Sequence, residues 1–230
     1  MIEYIDTVTK SHDISLGVEL KSVGVLTFSE DPNDICWLYH VVANDEWRDY
    51  YIVYSGPVDA TYRPVISYPA DRDSIPIRID SGCITGMTFG DKSCECKDQL
   101  DEAIRIIRDA GMGFVVHIPA QDGRGMGIDF KLHTLRRQSI EGCDTVKAAR
   151  LTAGSHNIDR RTYYGAIASL KLIGLDNTYR LDIATNNPDK VASFVNSGFI
   201  DLKETPIRIA INDLTKKHLA AKKKYLRHKL

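Results

Sequence analysis

Cys83, Cys94 and Cys96 lie in the stretch SGCITGMTFGDKSCECKDQL, with a ten-residue spacer between the first two and one residue between the last two. Three thiolates can hold one zinc ion and leave its fourth tetrahedral position open. That opening separates a zinc that does chemistry from one that staples a fold. No fourth cysteine stands near enough in sequence to close the site. Zinc in such a site lowers the pKa of a bound water from 15.7 to about 7. Spacing alone is also met by three reduced thiols in a strand-and-loop region.

The elements around these residues follow from pattern. In an extended segment, residues two apart face the same side, so Cys94 and Cys96 can reach one ion together while Cys83 returns from across the loop. DQLDEAIRIIRDAG places Leu100, Ala103, Ile104, Ile107 and Ala110 at helical spacing, and Gly111 ends the helix. GFVVHIP reads as a buried strand whose end presents QDGRGMG. A second helix is expected over 160–173, stopping at Gly174. YRLDIAT is another strand, and NNPDK opens a further helix that VASFVNSGF continues. Before them, SVGVLTFSE, ICWLYHVVAN and DYYIVYSG are short β-formers separated by the turn-like DPND and NDEWRD. Strands alternating with helices imply an α/β or α+β fold, mixed β-sheet layers with flanking helices and sites at strand ends.

Composition sets the class. At 230 residues, with 27% charged and 43% hydrophobic residues, the chain can bury a sizeable core and is not disordered. No apolar run reaches the roughly 18 residues of a membrane span. The start MIEYIDTVTKSHD lacks a basic-then-apolar signal pattern, so the cytoplasm is expected. Five cysteines, three of them clustered, fit metal binding in a reducing compartment better than a disulfide framework, with Cys36 and Cys143 as ordinary thiols. A net charge of −1 argues against a nucleic-acid partner. Seven Lys or Arg and no acid fall between Lys216 and Lys229. They read as the solvated face of a helix over Leu219, Ala220 and Leu226, with electrostatic attraction of an anion as the alternative.

The blocks RIDSGC…CEC, QDGRGMG, EGCDTV, DRRTYYG and ATNNPDKV stand in one order and at close spacing over roughly residues 78–205. In these blocks the chain resembles GTP cyclohydrolase II, a family that opens the imidazole ring of GTP. The resemblance implies one domain over 1–230: a mostly β extension over 1–77, a catalytic core over 78–212, and a basic C-terminal helix over 213–230. It implies zinc on Cys83, Cys94 and Cys96, magnesium for pyrophosphate release, and a homodimer. Arg78, Ser81, Gln99, Asp122, Gly123, Arg124, Thr145, Thr185 and Lys190 match its nucleotide-contacting positions. Arginine forks and a lysine charge suit phosphate oxygens. Alone, QDGRGMG is an ordinary glycine-rich turn, and Thr145 and Thr185 are common strand- and helix-end residues. Asp159 matches the proton acceptor, and Arg161 the proposed nucleophile or phosphate-activating residue. A guanidinium stays protonated, so charge stabilisation at the α-phosphate suits Arg161 better. Without the resemblance, Asp159 caps the following helix and Arg161 is solvated.

Three departures stand out. Where the family usually has His and Glu, this chain has Asp80 and Gly82, which adds a carboxylate near a polyphosphate and removes an acceptor. The catalytic tyrosine falls at Leu135, which donates no proton, and His133 replaces it only if this segment is not a regular helix. Lys97 and Asp98 replace a small pair, either as the polar start of a helix or as added pocket charge. The expectation is a zinc-dependent cyclohydrolase that opens the imidazole ring of GTP, either completing the family's reaction or halting with the formyl group retained because Leu135 replaces the tyrosine. The alternatives are a relative acting on another heterocycle such as a pyrimidine, and a non-catalytic nucleotide-binding module.

Overall fold

The strand-forming runs of the first third make the antiparallel half of one sheet, which has eight strands among the described residues. In this computed structural model, residues 2–8, 13–209 and 213–227 are described; the rest of the expected N-terminal extension and basic helix lies outside them. Strands β1 (Glu3–Val8), β2 (Asp13–Thr27), β3 (Ile35–Ala43) and β4 (Asp49–Ser55) pair antiparallel in succession. β4 pairs antiparallel with β6 (Gly113–Ile118). The sheet then turns parallel through β5 (Ile75–Ser81), β7 (Leu181–Ala184) and β8 (Leu202–Thr205). The strands of the first 77 residues therefore share one sheet with the later strands, which makes the fold a mixed-sheet α/β structure.

The two halves differ in burial as their pairing requires. β3 alternates, while β5, β6 and β7 are buried along almost their whole length, as expected of parallel strands covered on both faces. Helix α2 (Cys96–Ala110) covers one face with Ala103 and Ile107 against Val53 and Val115. Helix α6 (Tyr164–Leu172), buried almost all round, covers the other face beside Tyr39, Tyr50 and Ile52. Gly111 closes α2 in the left-handed conformation (φ 63°), as its sequence predicts.

β5 lies between β6 and β7. The chain leaves β5 for one neighbour and reaches the other only after β6, so a crevice opens beyond the carboxyl ends of these strands. Such switch points are where open α/β sheets place ligands. Around the crevice stand α1 (Ile84–Met87), α3 (Asp122–Gly125), α4 (Gly127–Ile140), α5 (Thr145–Ala153), α7 (Pro188–Asn196) and α8 (Asp213–Leu226).

Two local readings need correction. The helix expected from 160 begins at Tyr164, because Asp159–Tyr163 is drawn out along α3. Arg160 N donates to Arg124 O (3.0 Å) and Gln121 Nε2 to Thr162 O (2.5 Å). Asp159 therefore caps no helix. Cys94 and Cys96 do not flank an extended residue: Cys96 opens α2, and Glu95 between them has φ −97° and ψ 8°.

Candidate active site

At the end of β5 the chain turns through Gly82 into Cys83, the residue before α1. The sulfurs of Cys83, Cys94 and Cys96 lie within 4.8 Å of one another, Cys83 and Cys94 at 3.7 Å. Metal–sulfur bonds of about 2.3 Å in a tetrahedral site put sulfurs about 3.8 Å apart, so the spacing fits zinc. Gly86 makes the convergence possible: a Cβ there would lie 2.6 Å from Cys94 Sγ and 3.2 Å from Cys83 Sγ. No further His, Cys, Asp or Glu joins the group among the described residues.

Charge asks for a cation at the same place. Hydrogen bonds from Cys94 and Cys96, joined by one from Lys131 Nζ (2.7 Å), hold the Cys83 thiol far below its ordinary value. The contacts among the sulfurs push Cys94 up to about 11 and hold Cys96 well above its ordinary value, each first against Cys83. Three touching thiols share their protons, and a dication would take the place of those protons. Burial works against the Lys131 ammonium, but its bond to Cys83 and the nearby sulfur and Asp122 charges outweigh that and raise its pKa.

Asp122 is occupied more fully than its resemblance suggests. Its Oδ2 accepts Ile84 N (2.9 Å), and its Oδ1 accepts Gly123 N (2.7 Å) and faces Lys131 Nζ at 3.2 Å. It thus braces the turn that carries Cys83. Gly123 and Arg124 are left-handed (φ 60° and 61°). That conformation costs an ordinary side chain about 1–2 kcal/mol and persists only where surroundings enforce it. Trp47 is part of the enforcement. Its ring lies where a Cβ on Gly125 would fall, at 2.7 Å, and its Nε1 donates to Thr162 Oγ1 (2.7 Å). Arg124 NH2 donates to Thr145 Oγ1 (3.2 Å), while buried NH1 has no partner among the described residues. Burial, then Arg161 nearby, lower its pKa to about 10.

A second recess adjoins the sulfur cluster, and Ser81, Cys96, Arg161 and Lys222 line both. Ser81 Oγ donates to Gln121 Oε1 (2.9 Å). Arg161 grips Asp159 with Nε (2.8 Å) and NH2 (2.5 Å). Burial opposes ionisation of Asp159, but Arg161 outweighs it and lowers the carboxyl's pKa. Arg78 spends NH1 on Ala184 O (3.1 Å) and NH2 on Gln99 Oε1 (2.8 Å), leaving buried Nε unpartnered among the described residues. Thr185 Oγ1 accepts Asn187 N (3.0 Å). Lys190 Nζ donates to Ile79 O (2.7 Å); burial, then Arg78 and Arg161, hold its pKa well below the ordinary value. Of the residues expected from sequence, Ser81, Asp122, Gly123, Arg124, Thr145 and Arg161 line the sulfur-side recess with the three cysteines. Arg78, Gln99, Thr185 and Lys190 line the second recess, and Asp159 reaches the crevice through Arg161.

The departures have local answers. Asp80 Oδ2 pairs with His117 Nδ1 (2.7 Å), and the Arg78 guanidinium stands 4.0 Å from Oδ1, so the extra carboxylate has partners within the protein. Gly82 lies beneath Pro119: a Cβ would meet Pro119 O at 2.4 Å, and Gly82 N donates to Ile118 O (2.8 Å). Leu135 lines the sulfur-side recess with Lys131, Thr134 and Gln138, one face of α4 at helical spacing. α4 is a regular helix and His133 is exposed on it, so His133 does not stand in for a tyrosine. Lys97 pairs with Asp101 (2.6 Å) on the exposed face of α2, which settles it as a solvated helix start.

Sequence reasoning missed Lys131, Glu95, His117, Trp47 and Lys222. The periodicity of 127–140 would have put Lys131 on the face of Leu135. The others are joined to the site by contacts between residues distant in sequence, which pattern does not reveal.

The GTP cyclohydrolase II family model matches residues 48–203, reaching further toward the N-terminus than the motifs do. The chain is 33% identical over 160 residues to riboflavin biosynthesis protein RibBA of Phocaeicola vulgatus, covering 70% of this chain and 38% of that protein. It is 34% identical over 158 residues to GTP cyclohydrolase-2 of Streptomyces coelicolor, covering 69% of each. Against GTP cyclohydrolase-2 of Picrophilus torridus it is 29% identical over 189 residues, 82% of this chain and 89% of the other. The match thus spans well under half of RibBA and most of the shorter proteins. Among the described residues no helix is long and apolar enough to cross a membrane. By the family model and these relatives together, the chain belongs to the GTP cyclohydrolase II family.

Proposed function

We propose that this protein is a zinc-dependent cyclohydrolase that opens the imidazole ring of GTP, releases pyrophosphate, and leaves the formyl carbon on its product. The observation that supports this reading is one crevice in which a three-sulfur cluster adjoins a buried cationic recess, with Arg161 facing both.

Cys83, Cys94 and Cys96 would hold zinc, which supplies Lewis acidity and lowers the pKa of water from 15.7 to about 7. Lys131 joins Cys94 and Cys96 in favouring the Cys83 anion, and Asp122 fixes the turn that carries it. Asp159 is ionised and tied to Arg161. An anionic group that draws Arg161 away frees Asp159 to accept a proton, and Arg161 then stabilises charge at the α-phosphate. Arg78 and Lys190, with Gln99 and Thr185, suit the polyphosphate, accompanied by magnesium. Ser81, Gly123, Arg124 and Thr145 take the rest of the nucleotide, the unmade bond of Arg124 NH1 being available to it.

In this scheme one water breaks the C8–N bond of the ring and a second breaks the bond between the α- and β-phosphates. A third would be needed to release formate. Leu135 offers that step no hydrogen-bond donor, and loss of such a donor costs about 10²–10³ in rate. The zinc-loaded protein given GTP and magnesium should yield pyrophosphate and a formylated pyrimidine nucleotide by mass spectrometry. Formate equal to the GTP consumed would sink the retained formyl group, and intact GTP would sink the whole reading. Leu135→Tyr should raise formate release by about 10²–10³ if the hydroxyl acts directly. A homodimer in the cytoplasm completes the proposal, and sedimentation of the native protein tests the dimer.

A further inference from the structure

The basic C-terminal segment reads from sequence as a solvated helix face, yet one of its cations is turned inward. α8 is seated by Ala221 and Leu226 in a small cluster with Val146, Ala149 and Ile158, behind the Arg124 turn. Near its end Arg227 NH2 stands 3.8 Å from Asp189 Oδ1 on α7, the helix that carries Lys190. The helix thus packs on α5, and Arg227 just past its end reaches toward α7. Lys223 and Lys224 on it are exposed. Lys222 is not: its side chain is 17% exposed, and its Nζ donates to Glu95 Oε1 at 2.5 Å. It faces both the sulfur-side recess and the recess of Arg78 and Lys190.

We propose that Lys222 is a ligand-binding residue, a cation that α8 delivers to a polyphosphate at the junction of the two recesses. The inference deepens the reading above and rests on it for the identity of the anion. Glu95 holds the ammonium in place while no ligand is bound, as Asp159 holds Arg161. An entering polyphosphate offers oxygens of the same charge in the same place, and the ammonium is shared with it or passes to it. Lysine suits this use, as a point charge with three donors on a flexible stem. α8 is then the strap that completes the site, and its exposed lysines add only long-range attraction.

The competing role is purely structural: Lys222 as counterion to buried Glu95. Removing one partner of such a pair leaves a buried charge uncompensated, whereas removing both is often tolerated. Calorimetric titration of the zinc-loaded full chain with inorganic tripolyphosphate separates the two roles. Lys222→Gln should weaken binding by about tenfold or more, the worth of a hydrogen bond to a charged group. Lys222→Arg should retain most of it. The double variant Glu95→Gln/Lys222→Gln, which restores charge balance and so keeps the fold, should remain as weak as Lys222→Gln, with melting temperature and zinc content measured alongside. Recovery of binding in the double variant, unchanged binding in Lys222→Gln, or no tripolyphosphate binding by the wild type each overturns the proposal. GTP turnover is followed in parallel. Turnover indifferent to Lys222 would leave the cyclohydrolase reading standing and this inference fallen, and Lys222-dependent anion binding without turnover would do the reverse.

Discussion

The sulfur side and the cationic side of the crevice are built on opposite plans. The sulfur side comes from one short stretch, Cys83 to Cys96, folded back on itself over Gly86. Its negative charge is met at close range by Lys131 and by shared protons. The cationic side is gathered from β5, α2, the 159–163 segment, α7 and α8. There each cation already holds a partner of its own: Arg78 on Gln99, Arg161 on Asp159, Lys190 on Ile79 O, Lys222 on Glu95. The first side has charge to be filled by a metal. The second has places held by protein oxygens that a ligand's oxygens can take over. One is specified by local spacing, and the other by the whole tertiary fold.

The largest expected effect tests whether the two sides are separable. Cys96→Ser should take zinc from one ion per chain to almost none and cut GTP consumption by about 10³-fold or more, because water without the metal returns toward a pKa of 15.7. Tripolyphosphate binding, measured by calorimetry on the same variant, should change by less than about threefold, since none of the contacts described for Arg78 or Lys190 uses sulfur. Equal loss of both would show that the recesses fold as one unit and erase the contrast.

A smaller effect is expected on the sulfur side, next to Ser81, which lines both recesses. Gly82 stands where the family usually has Glu, and its Cβ would meet the backbone oxygen of Pro119 at 2.4 Å. Backbone gives way less readily than a flexible side chain, so Gly82→Ala should cost about 1–3 kcal/mol as overpacking. A chain of this size loses roughly 2–4 °C per kcal/mol, so the melting temperature should fall by several degrees. Gly82→Glu should fall at least as far. A Gly82→Glu protein as stable as the parent would mean that the 119–121 turn is free to move, and that the departure at Gly82 is one of chemistry, not packing.

This contrast also explains what the sequence made legible. The cysteine triad, the α2 stripe with its Gly111 cap, and the buried runs of β6 and β7 are short-range patterns, and all could be read directly. The expected helix from 160 failed at its start because Arg160 and Thr162 are held by Arg124 and Gln121, residues remote in sequence. Asp80 looked like an unbalanced charge because His117, its partner, sits on the neighbouring strand in direct register. Lys222 was indistinguishable from Lys223 and Lys224 until the seating of Ala221 fixed which lysine turns inward. In each case the missing information was a contact across the fold, the kind on which the cationic side depends.

The smallest expected effect concerns pH and belongs to the cationic side alone. Burial, then the charges of Arg78 and Arg161, depress the pKa of Lys190 well below 10.5, while Asp80 and Asp159 oppose the shift without cancelling it. Lys190 therefore loses its proton as pH rises through that depressed value and is neutral between it and 10.5, where an ordinary lysine stays charged. A polyphosphate beside it favours the ammonium, so binding should take up a proton wherever free Lys190 is neutral. Affinity for tripolyphosphate should accordingly fall as pH rises through the depressed value, with the slope set by the one proton gained. The ligand's own ionisation works the other way, since its charge only grows with pH. A fall therefore has to come from the protein. Calorimetry in two buffers of different ionisation enthalpy should register the uptake in the wild type and lose it in Lys190→Met. Uptake that persists in Lys190→Met would assign the proton elsewhere, and affinity flat with pH would mean that Lys190 stays charged beside Arg78 even before the anion arrives.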